Sequence, residues 1–239
     1  MQAVILAAGQ GLRLRPLTET SPKALVDVCG TPLIFRILRS LPDQITEIFI
    51  VVGYLKERIM DEVGGLFDGK PIHFVAQNTL DGTGSALHLL KDRLHEKFLV
   101  MNGDDLYDKA DLERLVVHDL GVLILPTKDA VEASALRDER GRFAGLEANA
   151  PAQKTKLRIC GAYALDERFF HYPLATVSVH GKIEYSLPHT LVRMTSDHAI
   201  MVEEATHWMP IGTQDELDRV RTNLPLCSSW KRSNGRMTP

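Results

Sequence analysis

Apolar residues along the chain fall into short continuous runs broken by polar, glycine-rich stretches. Residues 3–7 (AVILA), 45–52 (ITEIFIVV), 72–75, 98–101 and 121–126 have the length and β-branched content of strands buried on both faces of a parallel sheet. Between them the spacing turns helical. Leu33, Ile34, Ile37, Leu38 and Leu41 repeat on one helical face, with Thr31 as the expected N-cap and Pro32 at the first helical position. Further helices are predicted over 54–63, 85–94 and 111–118. Strand alternating with helix predicts right-handed βαβ units, hence an α/β fold with a Rossmann-like, largely parallel central sheet flanked by helices.

Beyond residue 126 this rhythm changes. Residues 131–146, with Asp138-Glu139-Arg140-Gly141 at the turn, predict an antiparallel hairpin, and 147–156 is polar and irregular. The second half therefore adds an antiparallel extension to the sheet. One domain over 1–224 and a polar tail over 225–239 are expected.

In open α/β sheets ligands sit at the carboxyl ends of the strands, so the residues following each strand are the place to look for chemistry. The first strand runs into Gly9 and Gly11, whose backbone can approach an anion closely, followed by Arg13, Arg15 and Lys23. This outlines a phosphate-handling loop. It is not a dinucleotide fingerprint, because Leu14 stands where a third glycine is needed, and no Gly-Lys-Ser/Thr closes a Walker A turn. Pro16 and Pro22 restrict Arg15 and Ser21 to extended backbone, which predicts a long loop with no helix directly after the glycines. The third strand is followed by Gln77, whose amide has the donor and acceptor to match a nucleobase edge, and by Gly82-Thr83-Gly84. The fourth ends in Asn102-Gly103-Asp104-Asp105, where Asp104 suits a Mg2+ held by one or two carboxylates plus substrate phosphates, with Asp105 as a neighbour. Each of these segments alone is also an ordinary turn.

Taken together and in order they carry more. The run from Leu6 (LAAGQGLRLRPLT) and Pro22-Lys23-Ala24-Leu25 resembles the signature of the sugar-1-phosphate nucleotidyltransferases, with Leu12 in place of the usual threonine. The resemblance implies that Leu6, Ala7, Ala8, Gly9 and Gly11 hold the nucleotide, that Arg13 contacts its triphosphate, and that Lys23 contacts phosphate at the reacting centre. It also implies base recognition by Gln77, Gly82 and Thr83, Mg2+ on Asp104, a catalytic set of Arg13, Lys23 and Asp104, and sugar contacts from Gly103, Gly161 and Glu184. Gly161 lies in a Gly-x-Tyr strand over 157–164 and Glu184 in Gly181-Lys182-Ile183-Glu184. Trp208-Met209-Pro210-Ile211-Gly212-Thr213 resembles the family's Trp-x-Asp-x-Gly-Thr, with Thr213 as N-cap of a helix over 214–221. Pro210 replaces the aspartate that would be the second metal ligand, and Glu147-Ala148-Asn149 replaces a Glu-Lys-Pro near the sugar phosphate. The likeness covers residues 1–221 and is strongest over the first 105. It implies transfer of a nucleotidyl group from an NTP to a sugar 1-phosphate. Phosphocholine or a similar small phosphate as acceptor, and a nucleotide-binding regulatory protein without turnover, stand as alternatives.

The bulk properties narrow the partners. A net charge of -3 argues against a nucleic-acid or anionic-membrane surface and leaves small anionic substrates open. Cys29, Cys160 and Cys227 are odd in number and show no CxxC, which predicts neither a disulfide framework nor a zinc site and fits a cytoplasmic location. No apolar run approaches the roughly 20 residues that span a bilayer. The oligomeric state is left open.

Overall fold

The computed structural model describes residues 1–148, 150, 151, 154–179 and 181–223, so the region expected as a polar tail lies outside the described residues. The apolar runs form the strands expected of them: β1 (Gln2–Ala7), β2 (Glu47–Val52), β4 (Lys70–Ala76), β5 (Lys97–Asn102) and β7 (Gly121–Thr127). Together with the two-residue edge piece β3 (Leu66–Phe67), β10 (Lys156–Asp166) and β13 (Met201–Glu204), they make one eight-stranded sheet in the order β13-β7-β10-β5-β1-β2-β4-β3. β5, β1, β2 and β4 run parallel, as does β13 beside β7. The long β10 enters between β5 and β7 antiparallel to both.

Both faces of the sheet are covered, which is why its strands are apolar at nearly every position. Ala3, Ile5, Ile48, Ile50, Leu99 and Met101 pack into one layer, while Val4, Phe49, Val51, Phe98 and Val100 pack into the other. This is the period-two alternation of a strand. The first layer is closed by α1 (Leu33–Arg39), α2 (Lys56–Val63), α4 (Lys109–Leu115) and α6 (Gln214–Asn223), through buried residues such as Ile37, Ile59, Leu112 and Leu217. The second is closed by α3 (Thr83–His88) and α5 (Leu187–Met194) with Phe169 and Phe170. The hairpin of β8 (Ala133–Arg137) and β9 (Phe143–Ala148) occupies the predicted span, with its turn at Asp138–Arg142.

Local details differ from expectation where tertiary partners intervene. Thr31 does not cap α1. It is buried and pairs with Val28 in a two-residue ladder, so the helix begins one residue after Pro32 with no side-chain cap. Short 3₁₀ and α turns at Leu12–Leu14 and Leu17–Thr20 follow Gly11 directly, although Arg15 and Ser21 are extended as their following prolines require. Cys29 is disulfide-bonded, contrary to the expectation from three scattered cysteines, and its partner lies outside the described residues. Cys160 is free and buried. No helix among the described residues is long and apolar enough to cross a membrane.

Candidate active site

The parallel register aligns the ends of β1 and β5. Leu6 lies opposite Asn102, so Gly103 leaves its strand beside Ala7 and donates its backbone N–H to the Leu6 carbonyl at 2.9 Å. A Cβ on Gly103 would stand 2.8 Å from that carbonyl oxygen, which explains glycine at the crossing. The chain after β1 then turns at Gly11, in the left-handed region at φ 63, and Gly11 accepts from the Thr18 hydroxyl at 2.7 Å. The Lys23 stem packs against Gly11, where a Cβ would meet the Lys23 Cβ at 3.1 Å. Its ammonium reaches across to Asp104, with Nζ 2.6 Å from Oδ2. Lys23 and Asp104, far apart in sequence, are thereby brought together at the mouth of the phosphate loop. The Arg13 guanidinium lies against Gly212.

The segment carrying Gly212 is fixed over the same loop. β14 (Trp208–Pro210) pairs antiparallel with β6 (Asp105–Tyr107), placing Pro210 opposite Asp105, and the Ile211 N–H donates to the Asp104 carbonyl at 3.0 Å. Residue 210 is thereby held beside the Asp104–Asp105 step. The acids at the end of β13 are committed elsewhere: Glu203 pairs with Arg114 and His118, and Glu204 pairs with Arg137. Thr213 caps α6 as expected, accepting from the Glu216 N–H at 3.3 Å. The Glu216 carboxylate returns to accept from Gly212 and Thr213, completing a reciprocal cap that holds the segment in place.

Asp105 points away from this cleft into the core. Its carboxyl is buried between Tyr107 and Asn102, and burial first, then the charge of Asp104, push its pKa well above the usual carboxylate range. Burial likewise raises Tyr107, whose hydroxyl lies within hydrogen-bonding distance of the Cys160 and Gly161 carbonyls. Buried and turned into the core, Asp105 is not placed to ligate a cation in the cleft, so Asp104 is the carboxylate this strand end offers. Gly161, at φ 69, lies so close to the Asn102 amide that a Cβ would overlap it at 2.1 Å.

On the opposite side of the phosphate loop, Gly53 and the Gln77 loop bound a cavity of about 220 Å3 lined by Gln10, Gly53, Tyr54, Lys56, Gln77, Asn78 and Leu80. Tyr54 donates its backbone N–H to the Ala8 carbonyl, and Gln77 donates its own to the Val52 carbonyl, so the ends of three neighbouring strands wall this space. Gln77 is buried. Gly82, at φ 112, touches the backbone of Tyr185, whose N–H donates to the Asp81 carbonyl at 2.6 Å, and the Thr83 hydroxyl accepts from Leu187. Glu184 is thus tied to the Gly82-Thr83 loop, but it lies on a strand, β12 (Lys182–Ser186), paired with β11 (Ala175–Val179).

Sequence reasoning passed over some residues at this edge. Lys56 and Tyr54 follow the second strand, where the strand-end rule applies as it does at the others. Lys156 and Arg158 lie on the part of β10 that runs past the end of β5; Lys156 is buried with its ammonium on the Asp129 carbonyl, while Arg158 donates to the Ala130 carbonyl at 2.8 Å and its guanidinium stands 5.9 Å over the Trp208 ring. Their pattern in the sequence is an ordinary strand, and only the strand order shows that they lie beyond the end of β5.

The nucleotidyl transferase family profile matches residues 2–120. The bifunctional protein GlmU of Methanocaldococcus jannaschii is 34% identical over 172 residues, covering 71% of this chain and 41% of that protein. The UTP–glucose-1-phosphate uridylyltransferase AglF of Haloferax volcanii is 41% identical over 109 residues, 45% of each chain. The chain thus spans less than half the length of these two relatives. A Bacillus anthracis crystal structure, named as a candidate glucose-1-phosphate thymidylyltransferase, superposes with a TM-score of 0.79 over 98% of both chains at 22% identity, and so shares the fold. With the glycine loop, Lys23 and Asp104 assembled at the matched strand ends, the chain belongs to the sugar-1-phosphate nucleotidyltransferase family.

Proposed function

We propose that this protein transfers a nucleoside monophosphate from an NTP to a sugar 1-phosphate, releasing pyrophosphate. The observation that carries this reading is the contact of Lys23 with Asp104 beside Gly11, which concentrates a cation, a carboxylate and open backbone at one strand edge. An acceptor phosphate oxygen is already anionic at neutral pH, so it attacks the α-phosphorus without a general base. The new P–O bond forms as the bond to the β-phosphate breaks, and the demand on the protein is alignment and charge neutralisation. Lys23 and Arg13 supply positive charge to the triphosphate. Glu184 accepts hydrogen bonds from sugar hydroxyls.

Mg2+ fits the donor set in a limited way. Among the described residues no cluster of three or more His, Cys, Asp or Glu side chains converges to hold a metal, while Asp104 presents a half-exposed hard oxygen donor next to the phosphate loop. That suits an ion that keeps waters and takes its remaining ligands from substrate phosphates. When bound there, Mg2+ would neutralise charge on the reacting phosphates. Asp104 would hold it and Lys23 would keep Asp104 in place.

Pyrophosphate release across a panel of NTPs with hexose 1-phosphates and phosphocholine tests the reading. Turnover with a sugar 1-phosphate is expected. Turnover with phosphocholine alone would move the acceptor to another class, and nucleotide binding without any turnover would favour a regulatory role. Pro210 gives a second test. Nucleotide-free protein is expected to bind Mg2+ weakly, and Pro210→Asp to tighten that binding several-fold in calorimetric titration, because it adds a hard oxygen beside Asp104. An unchanged affinity in a folded variant would show that residue 210 does not face the metal.

A further inference from the structure

The carboxyl ends of the parallel strands form two neighbouring areas. The cavity at Gln10, Gly53 and Gln77 lies over β1, β2 and β4, whereas β10 flanks β5 on the side away from β1. There β10 is irregular. Ile159 pairs with Ile124 of β7 and Tyr163 with Val122, so residues 160–162 bulge where only Leu123 lies between their neighbours' partners. Gly161, at φ 69, is the left-handed residue of this bulge, and its Cα abuts the Asn102 amide. Successive carbonyls of a regular strand point to opposite sides, yet those of Cys160 and Gly161 converge on the Tyr107 hydroxyl, at 3.0 and 3.2 Å. The Asp105 Oδ2 lies 3.3 Å from the same hydroxyl. Tyr107 itself is buried, with its ring in the core layer below.

We propose that Tyr107 is a positioning residue for the acceptor: its hydroxyl pins the bulge of β10, and the bulge shapes the part of the cleft that receives the sugar 1-phosphate. This rests on the transferase reading. With the nucleotide over β1, β2 and β4, the second substrate comes to Asp104 from the side of β5 and β10, where Gly161 abuts Asn102, two residues before Asp104. The bulge is therefore the part of the main chain that borders this approach. Without the hydroxyl, two carbonyls in a buried stretch lose a donor, and Gly161 has no side chain of its own to hold it. Tyr107 acts through Cys160 and Gly161 and touches none of the reacting atoms.

Tyr107→Phe in the full chain tests this, since it removes one oxygen and keeps the ring packed in the core. Steady-state kinetics use the fastest pair from the panel of NTPs and hexose 1-phosphates. KM for the hexose 1-phosphate is expected to rise about fivefold to tenfold, the effect of one hydrogen bond, while KM for the NTP stays within about twofold of the parent. A purely structural loss would instead lower the active fraction, and so kcat, and leave both KM values alone. Amide hydrogen exchange is expected to quicken over residues 159–163 and to stay as in the parent over residues 6–14. Gly161→Ala, which disturbs the same bulge from the Asn102 side, is expected to give the same split between the two substrates. Equal changes in both KM values, or a parent-like KM for the hexose 1-phosphate, would overturn the role of Tyr107. Unchanged exchange over 159–163 would overturn the pin itself, whatever the kinetics. Absence of turnover by the parent with every pair would remove the transferase reading, and the exchange comparison would still decide whether the hydroxyl holds the bulge.

Discussion

Lys23→Ala is expected to lower turnover by about two to three orders of magnitude, the loss of about 3 kcal/mol of transition-state stabilisation that follows removal of one well-placed charge donor. The side chain is 11% exposed, packed on Gly11, and its ammonium lies 2.6 Å from Asp104. It therefore stands between the phosphate loop and the carboxylate of Asp104. Asp104 is 41% exposed, so after the substitution water can solvate it and the fold should hold. A steady-state rate measurement with an unchanged thermal midpoint checks this. Arg13→Ala should fall in the same range, since its guanidinium lies against Gly212, next to the residue bonded to the Asp104 carbonyl. Near-normal pyrophosphate release by a folded Lys23→Ala protein would remove the phosphate-loop assignment.

The parts of this site that the sequence made legible are those fixed by local chemistry at a strand end. A strand buried on both faces must be apolar throughout, so AVILA, IFIVV and FLVM announce themselves. Gly53 and Gly103, which follow two of them, stand where a Cβ would collide with the Ala8 and Leu6 carbonyls. What depended on strand order was not legible. β10 is an apolar strand like its neighbours, and nothing in its own residues says that it inserts antiparallel between β5 and β7 and runs past the end of β5. Glu184 is a similar case. Polar residues around it leave helix and strand open, and pairing of Lys182–Ser186 with Ala175–Val179 decides for strand. Thr31 has the chemistry of a cap, but burial and a ladder with Val28 use it differently.

The site also depends on contacts between halves of the chain. The loop carrying Gly82 and Thr83 is held by β12: Gly82 lies on Tyr185, and the Asp81 carbonyl accepts from its N–H. The Asp81 carboxylate in turn accepts from the Gln77 amide.

The largest effect on stability is expected at Asp111, a fully buried carboxylate far from the phosphate loop. Oδ2 accepts from the backbone N–H groups of Thr206 and His207 at 2.7 and 3.1 Å, while Oδ1 accepts from the Thr206 hydroxyl at 2.8 Å and from Arg114 at 2.6 Å. It thereby ties α4 to the stretch that leads into β14 and so to Pro210. Asp111→Ala would leave these buried donors without an acceptor, and a loss of about 3 kcal/mol is expected in urea unfolding at neutral pH. Burial pushes the Asp111 carboxyl up, but the bonds from His207, Thr206 and Arg114 outweigh it and hold its pKa below the usual value. The sign of the pH dependence follows. In the unfolded chain Asp111 titrates near the ordinary aspartate value, about 3.9, so its contribution is complete above that value. It is lost as the pH falls through the lower folded-state pKa. The parent protein should lose stability along this acid limb, and Asp111→Ala should show a flatter one, so that the two unfolding free energies converge toward low pH. A constant difference between them down to pH ~2, below the ordinary aspartate value, would show that Asp111 contributes through packing and not through its charge.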